Sequence, residues 1–140
     1  MGRKLQIFLA FIALIMIIAC EKDPAARRAE LIGTWLFQKT DTDYDWRETY
    51  TFKKDGTVLW TNTSIEKLSR KPYPGGKNGT WTVDSRYIRV HMKDFFDEDR
   101  RVRIPLSYDQ DISYSLDGNK LTITEKGGDG YFKKDFFKSQ

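Results

Sequence analysis

The sequence predicts an all-β domain, an antiparallel barrel or sandwich of eight or nine short strands. Three observations carry that expectation. Apolar and polar residues alternate at a period of two almost throughout the chain after residue 30, which places the apolar ones on one face of each strand. Turn-forming residues recur at short, regular intervals, as a series of hairpins requires. No stretch after residue 30 carries the apolar stripe of a long amphipathic helix.

The strands follow in chain order. Residues 33–39, GTWLFQK, alternate and open the series. In 46–56, WRETYTFKKDG, Trp46, Glu48, Tyr50 and Phe52 share one face, and Arg47, Thr49 and Thr51 share the other. Asp55-Gly56 then supplies a hairpin turn, because this dipeptide tolerates positive φ. The chain returns through 57–63, TVLWTNT, with Val58 and Trp60 on one face. Residues 69–79, SRKPYPGGKNG, hold two prolines and three glycines and read as a loop. TWTV (80–83) and RYIRVHM (86–92) are joined by a short turn at Asp84-Ser85. RVRIPL (101–106), DISYSL (111–116), NKLTITE (119–125) and YFKKDFF (131–137) complete the set. A weak internal repeat matches 81–92 to 114–125 at an offset of 33, aligning Ile88 with Leu121 and Val90 with Ile123. Both copies read as β-hairpins.

The amino terminus carries an address. Arg3 and Lys4 precede a run of 15 residues, 5 to 19, that is apolar except for Gln6. This is short of the roughly 20 residues a transmembrane helix needs and fits the apolar region of a secretory signal. Ile17-Ile18-Ala19-Cys20 resembles the lipobox of bacterial lipoproteins, with Ile17 where Leu is more usual. The resemblance implies that residues 1–19 are a signal peptide and that Cys20, the only cysteine, becomes the lipidated first residue. The chemistry suits this, since a thiolate is nucleophilic enough to take a diacylglyceryl group. Each buried methylene contributes about 0.8 kcal/mol, so several palmitate-length chains hold far more tightly than one short chain. Residues 20–30 then read as a polar tether with a helical tendency after Pro24, and 31–140 as the barrel domain. Glu21, rather than Asp, follows the cysteine, so the inner-membrane retention signal known from enteric bacteria is absent. The expected address is the outer membrane, at its periplasmic face or at the cell surface.

Removing 19 of 140 residues leaves 121, one domain's worth. Loss of Arg3 and Lys4 lowers the formal charge from +4 to +2, a balance that gives no case for nucleic acid. With Cys20 spent on lipid, no disulfide staples the mature chain, and its aromatic residues must supply much of the core.

LIGTWLFQ (31–38), YTFKKDGTV (50–58), NGTWTVD (78–84) and YSLDGNKLTIT (114–124) resemble the lipocalin-like domain family of Gram-negative bacterial lipoproteins, over roughly residues 31–137. The resemblance implies an up-and-down antiparallel β-barrel of eight or nine strands, with Trp35 of the Gly33-x-Trp35 motif plugging the closed end. Gly33 lets the chain bend into the barrel floor, and a tryptophan buries a large flat area there. Two departures stand out. Thr40-Asp41-Thr42-Asp43-Tyr44 spells the family's second motif but follows the first strand instead of lying late in the barrel. No Arg after Arg103 can stack on the tryptophan, which leaves Lys133 or Lys134 as substitutes.

Trp35, Tyr50, Phe52, Trp60 and Trp81 are expected to point inward. They either fill the interior, which eight strands leave just large enough for side chains, or line a cavity for a small hydrophobic ligand. Tyr73 and Trp46 could form an exposed platform for a glycan or protein partner. Neither metal nor cofactor is expected. DTDYDW (41–46) spaces three carboxylates, but an EF-hand needs Gly at its sixth position and Glu at its twelfth, where Trp46 and Phe52 stand. His91 is the only histidine and falls on the outer face. Asp94, Asp97, Glu98 and Asp99 lie beside arginines as a salted loop rather than a catalytic carboxylate pair. The expectation is a non-enzymatic, membrane-anchored envelope protein. Either its barrel holds a small hydrophobic ligand, or the barrel is filled and its loops contact a protein complex or glycan.

Overall fold

The computed structural model describes residues 22–70, 72–97, 102–127 and 130–139. A short helix α1 (Pro24–Leu31) leads into β1 (Gly33–Thr40), β2 (Tyr44–Phe52), β3 (Thr57–Glu66) and β4 (Pro72–Val83). There follow β5 (Tyr87–Asp97), β6 (Val102–Asp117), β7 (Lys120–Gly127) and β8 (Gly130–Lys138). Each strand pairs antiparallel with the next, and β8 returns to β1, so the eight form a closed up-and-down barrel. Among the described residues no helix is long and apolar enough to cross a membrane.

Two sequence expectations change. RVRIPL and DISYSL are one strand, β6, which settles the number at eight. Pro105 interrupts nothing there, because it lies opposite Asp94, where the β5–β6 register already shifts. A missing donor is tolerated where a ladder is locally broken. The stretch 69–79 is not a loop: from Pro72 onward it is β4, paired with β3 as far as Pro72 opposite Ile65. Its glycines answer close packing between strands rather than a turn. A Cβ on Gly79 would stand 2.1 Å from the His91 carbonyl oxygen, at a register shift between Asn78 and Gly79. A Cβ on Gly75 would stand 3.2 Å from the Phe95 ring. The turn falls earlier and includes Arg70, whose φ is +55°.

The predicted alternation holds. Glu48, Tyr50 and Phe52 of β2 are all buried. The repeat pairs Ile88 with Leu121 and Val90 with Ile123 are buried at matching places in their two hairpins. These side chains make a dry core at one end of the barrel, where the turns 53–56, 84–86 and 118–119 gather.

Helix α1 lies across that closed end. Asp23 caps it by accepting from the Ala25 N–H at 3.2 Å, and Pro24 sits in its first turn, where no N–H is needed. Leu31 is fully buried. The Arg28 guanidinium stacks 4.7 Å above the Trp81 ring. Trp35, also fully buried, donates from Nε1 to the Leu31 carbonyl at 2.7 Å, satisfying a carbonyl the helix end leaves free. Lys138, rather than Lys133 or Lys134, is the cation that covers Trp35. Its Nζ sits 5.1 Å from the centre of the Trp35 ring and donates to the Glu30 carbonyl at 2.9 Å. The pairing of Trp35 with Lys138 in the β1–β8 ladder puts it there.

The barrel is knit unevenly. The β1–β8 ladder consists of Trp35–Lys138 and Leu36–Phe137 alone. The β6–β7 ladder joins Ser113–Asp117 to Lys120–Thr124, leaving the upper part of β6 paired to β5 only. The β7–β8 hairpin is thus sewn to both neighbours near the closed end and to neither at the open end.

Candidate functional site: a polar layer beneath an aromatic mouth

Four of the five expected interior residues pack against one another. Trp35, Tyr50, Phe52 and Trp81 are each 4% exposed or less. The Tyr50 and Phe52 rings stack with centroids 5.7 Å apart, and Phe52 meets Trp81 at 4.9 Å. Trp81 Nε1 donates to the Lys53 carbonyl at 3.1 Å. These four fill the closed half. Trp60 stands above them, half-buried, at the edge of a layer of quite different chemistry.

That layer is ionic. Glu48 is 6% exposed, and β2 carries it inward between Trp46 and Tyr50. One of its oxygens accepts from Trp60 Nε1 at 2.7 Å, and the other accepts from Lys134 Nζ at 2.7 Å. Lys134 of β8 also meets Glu125 Oε2 of β7 at 3.2 Å. The Tyr50 hydroxyl donates to Glu125 Oε1 at 3.5 Å. Beside them Lys77 Nζ donates to the Tyr108 hydroxyl at 3.2 Å and lies 4.9 Å from the centre of the Trp60 ring. Burial alone would depress the Lys134 pKa, but Glu48 and Glu125 outweigh it and hold the ammonium above its ordinary value. Burial, reinforced by the Glu125 charge, pushes the Tyr50 phenol well above its ordinary value. At neutral pH Lys134 is therefore charged where it lies between Glu48 and Glu125, with a neutral tyrosine donating from below.

A cleft of about 420 Å³ opens above this layer, between the upper parts of β1 and β8. Phe37, Trp46 and Phe132 give it aromatic walls, Glu48 and Lys134 lie at its base, and Lys39, Asp41, Arg47, Asn62 and Lys133 complete its polar lining. The Phe37 ring bridges the two levels, 5.6 Å from Phe136 below and 5.9 Å from Lys134 Nζ. Apolar walls around a satisfied ion pair suit a small molecule with a hydrophobic body and a polar end. The sequence held one signal for this site: Glu48 shares the inward face with Tyr50 and Phe52. Its partners come from β3, β7 and β8, far along the chain, and no local pattern announces them.

Apart from Asp41, at the rim of the cleft, the other candidates fall elsewhere. Asp41 is a turn cap: its carboxylate accepts from the N–H groups of Tyr44 and Asp43 and from Trp46 Nε1. The two backbone donors hold its carboxyl below the usual carboxylate range. His91 sits on the outer face, with Nδ1 2.8 Å from Asp109 Oδ1. Asp94 and Asp97 lie in strand β5, paired with β6, and not in the expected loop, and Asp94 pairs with Arg103 at 3.5 Å. Among the described residues no group of three or more His, Cys, Asp or Glu side chains could hold a metal ion. Tyr73 lies in β4 opposite Ser64. Cys20, Glu98 and Asp99 lie outside the described residues. No protein-family model matches the chain, and no curated protein matches it.

Proposed function

We propose that the protein is a non-enzymatic, lipid-anchored binding module of the bacterial outer membrane, which takes a small hydrophobic ligand with a polar end at the mouth of its barrel. One observation carries the binding reading: an aromatic cleft stands open above the Glu48–Lys134 ion pair, while the half below is packed solid. The ligand's apolar body lies against Phe37, Trp46 and Phe132, and its polar end turns toward Lys134 and Glu48. The anchor reading rests on the signal-like run and on Ala19-Cys20. Lys22 Nζ pairs with Glu30 Oε1 at 2.8 Å, beside the closed end. A lipid on Cys20 is tied within about 7 Å of Lys22 by chain length alone, so the mouth faces away from the membrane.

Titrating the protein with single-chain fatty acids and alkyl amines tests the cleft through tryptophan fluorescence, because Trp46 and Trp60 flank it. Saturable quenching is expected, weakened about tenfold or more by Phe132→Ala, which removes one wall. A flat signal across both series would rule out the cleft as a site. Mass spectrometry of mature protein tests the anchor separately: an acylated Cys20 at the amino terminus is expected, and an unmodified thiol with the leader in place overturns it.

A second reading, in which the loops contact a protein complex or glycan, is favoured by large apolar groups at the open end: Leu68 is 95% exposed and Tyr131 75%. Cross-linking in intact membranes decides it. Adducts lost on Leu68→Ser support the reading, and adducts unchanged by it do not.

A further inference from the structure

We propose that the cleft discriminates by charge and takes an anionic amphiphile, a single apolar chain ending in a carboxylate or phosphate group. The proposal rests on the cleft being a ligand site and adds the sign of the polar end it accepts. The first ground is the charge of the walls. Four cationic side chains, Lys39, Arg47, Lys133 and Lys134, line the cleft with two carboxylates, Asp41 and Glu48, a formal excess of +2. The layer beneath does not cancel it, because there Lys77 and Glu125 add one charge of each sign. A concave surface with an excess of one sign and apolar walls focuses its field on whatever enters.

The second ground is which polar groups are already engaged. One Glu48 oxygen accepts from Trp60 Nε1 and the other from Lys134 Nζ. In Asp41, Oδ1 accepts from the Asp43 and Tyr44 N–H groups, and Oδ2 accepts from Trp46 Nε1. All four carboxylate oxygens of the lining are thus taken. The cations are in the opposite condition. Among the described residues Lys39, Arg47 and Lys133 form no ion pair, and Lys39 acts on Asp41 only through its field. All three are exposed. Lys39 stands on β1, and Lys133 and Lys134 stand on β8, so an anion in the cleft lies between cations on both walls. An ammonium end would meet four like charges and acceptors that already have donors. Each exposed lysine contributes little alone. The discrimination comes from their sum, since every charge that draws an acid repels an amine.

Three ligands of equal chain length test this: dodecanoate, dodecanol and dodecylammonium, each kept below its micelle concentration. The protein is the mature chain carrying Cys20→Ser, which removes the lipid and leaves every described residue unchanged. Tryptophan fluorescence is read at about pH 8, where the acid is ionised and the amine protonated. Dodecanoate is expected to bind tightest and dodecylammonium weakest, about tenfold or more apart. Raising the salt from about 0.01 M to about 1 M shortens the screening length from about 30 Å to about 3 Å, so the preference should shrink while dodecanol binding holds. Lys39→Glu cancels the formal excess and should bring acid and amine within about threefold of each other, again with dodecanol unchanged. If dodecanol binds and the acid is no better than the amine, this proposal is overturned and the cleft remains a ligand site. If none of the three binds, both readings fall. A preference untouched by salt and by Lys39→Glu also overturns the proposal, because it then arises elsewhere than in these walls.

Discussion

Glu48 lies on the inward face of β2 and accepts from Trp60 on β3 and Lys134 on β8. Replacing it by alanine leaves an indole N–H without its acceptor and Lys134 with half its counter-charge, a loss of about 2–3 kcal/mol. Glu48→Gln should cost less, because an amide oxygen can still accept from Trp60; urea unfolding of the two variants checks the order. Lys134 adds an alkaline limb. Its folded pKa is raised, so the stability it contributes is fully present below the unfolded value of about 10.4 and fades as pH rises through the folded value. The turn carboxylates act at the opposite extreme. The N–H groups of Arg86 and Tyr87 hold the Asp84 carboxyl below its ordinary range. Its contribution is present above the unfolded value of about 3.9 and fades as pH falls through the lowered one. Asp84→Asn keeps the acceptor and removes the titration, so its unfolding midpoint should fall less steeply in acid than the wild type's. At this scale, period two was enough to place Glu48 inward with Tyr50 and Phe52. It gave no hint that Lys138 would cover Trp35, because that contact is set by where β8 meets β1.

Strand β4 shows what local punctuation conceals. Pro and Gly in SRKPYPGGKNG are turn signals when only the chain's own neighbours count. Here the prolines sit at the start of a strand, and the glycines let β4 approach β5 and Phe95 more closely than a side chain permits. Gly79→Ala should therefore cost about 3 kcal/mol, since the obstacle is the His91 backbone, which cannot swing aside. Gly118→Ala makes a useful contrast. It sits in the β6–β7 turn at φ +58° with open space around it, so only backbone strain of about 1–2 kcal/mol is expected. Thermal unfolding of the two variants separates steric from conformational cost, and equal losses would refute the distinction. The Asp-Gly pairs at 55–56 and 117–118 were legible because their information is local: both glycines take positive φ in hairpin turns. The merging of two segments into β6 was not legible, because tolerance of Pro105 depends on a register shift with another strand.

Seen whole, the barrel is two bodies of unequal firmness. The closed half holds the buried side chains, the docked helix and every ladder that β7 and β8 make with β6 and β1. In the open half the β7–β8 hairpin stands between two unpaired edges. It is held inward by Lys134 on Glu48, reinforced by the Tyr50 hydroxyl on Glu125. Regions with few buried contacts and unpaired edges open at free energies below that of global unfolding. Amides of residues 125–127 and 130–134 should accordingly exchange through local opening, at rates nearly independent of low denaturant. Those of 50–52, 88–92 and 121–123 should exchange only as the whole barrel unfolds. Glu48→Ala removes the latch, so it should speed exchange in the hairpin tip well beyond what its effect on global stability produces in the core. Uniform acceleration across both groups would mean that the ionic layer braces the entire barrel and that the hairpin has no motion of its own.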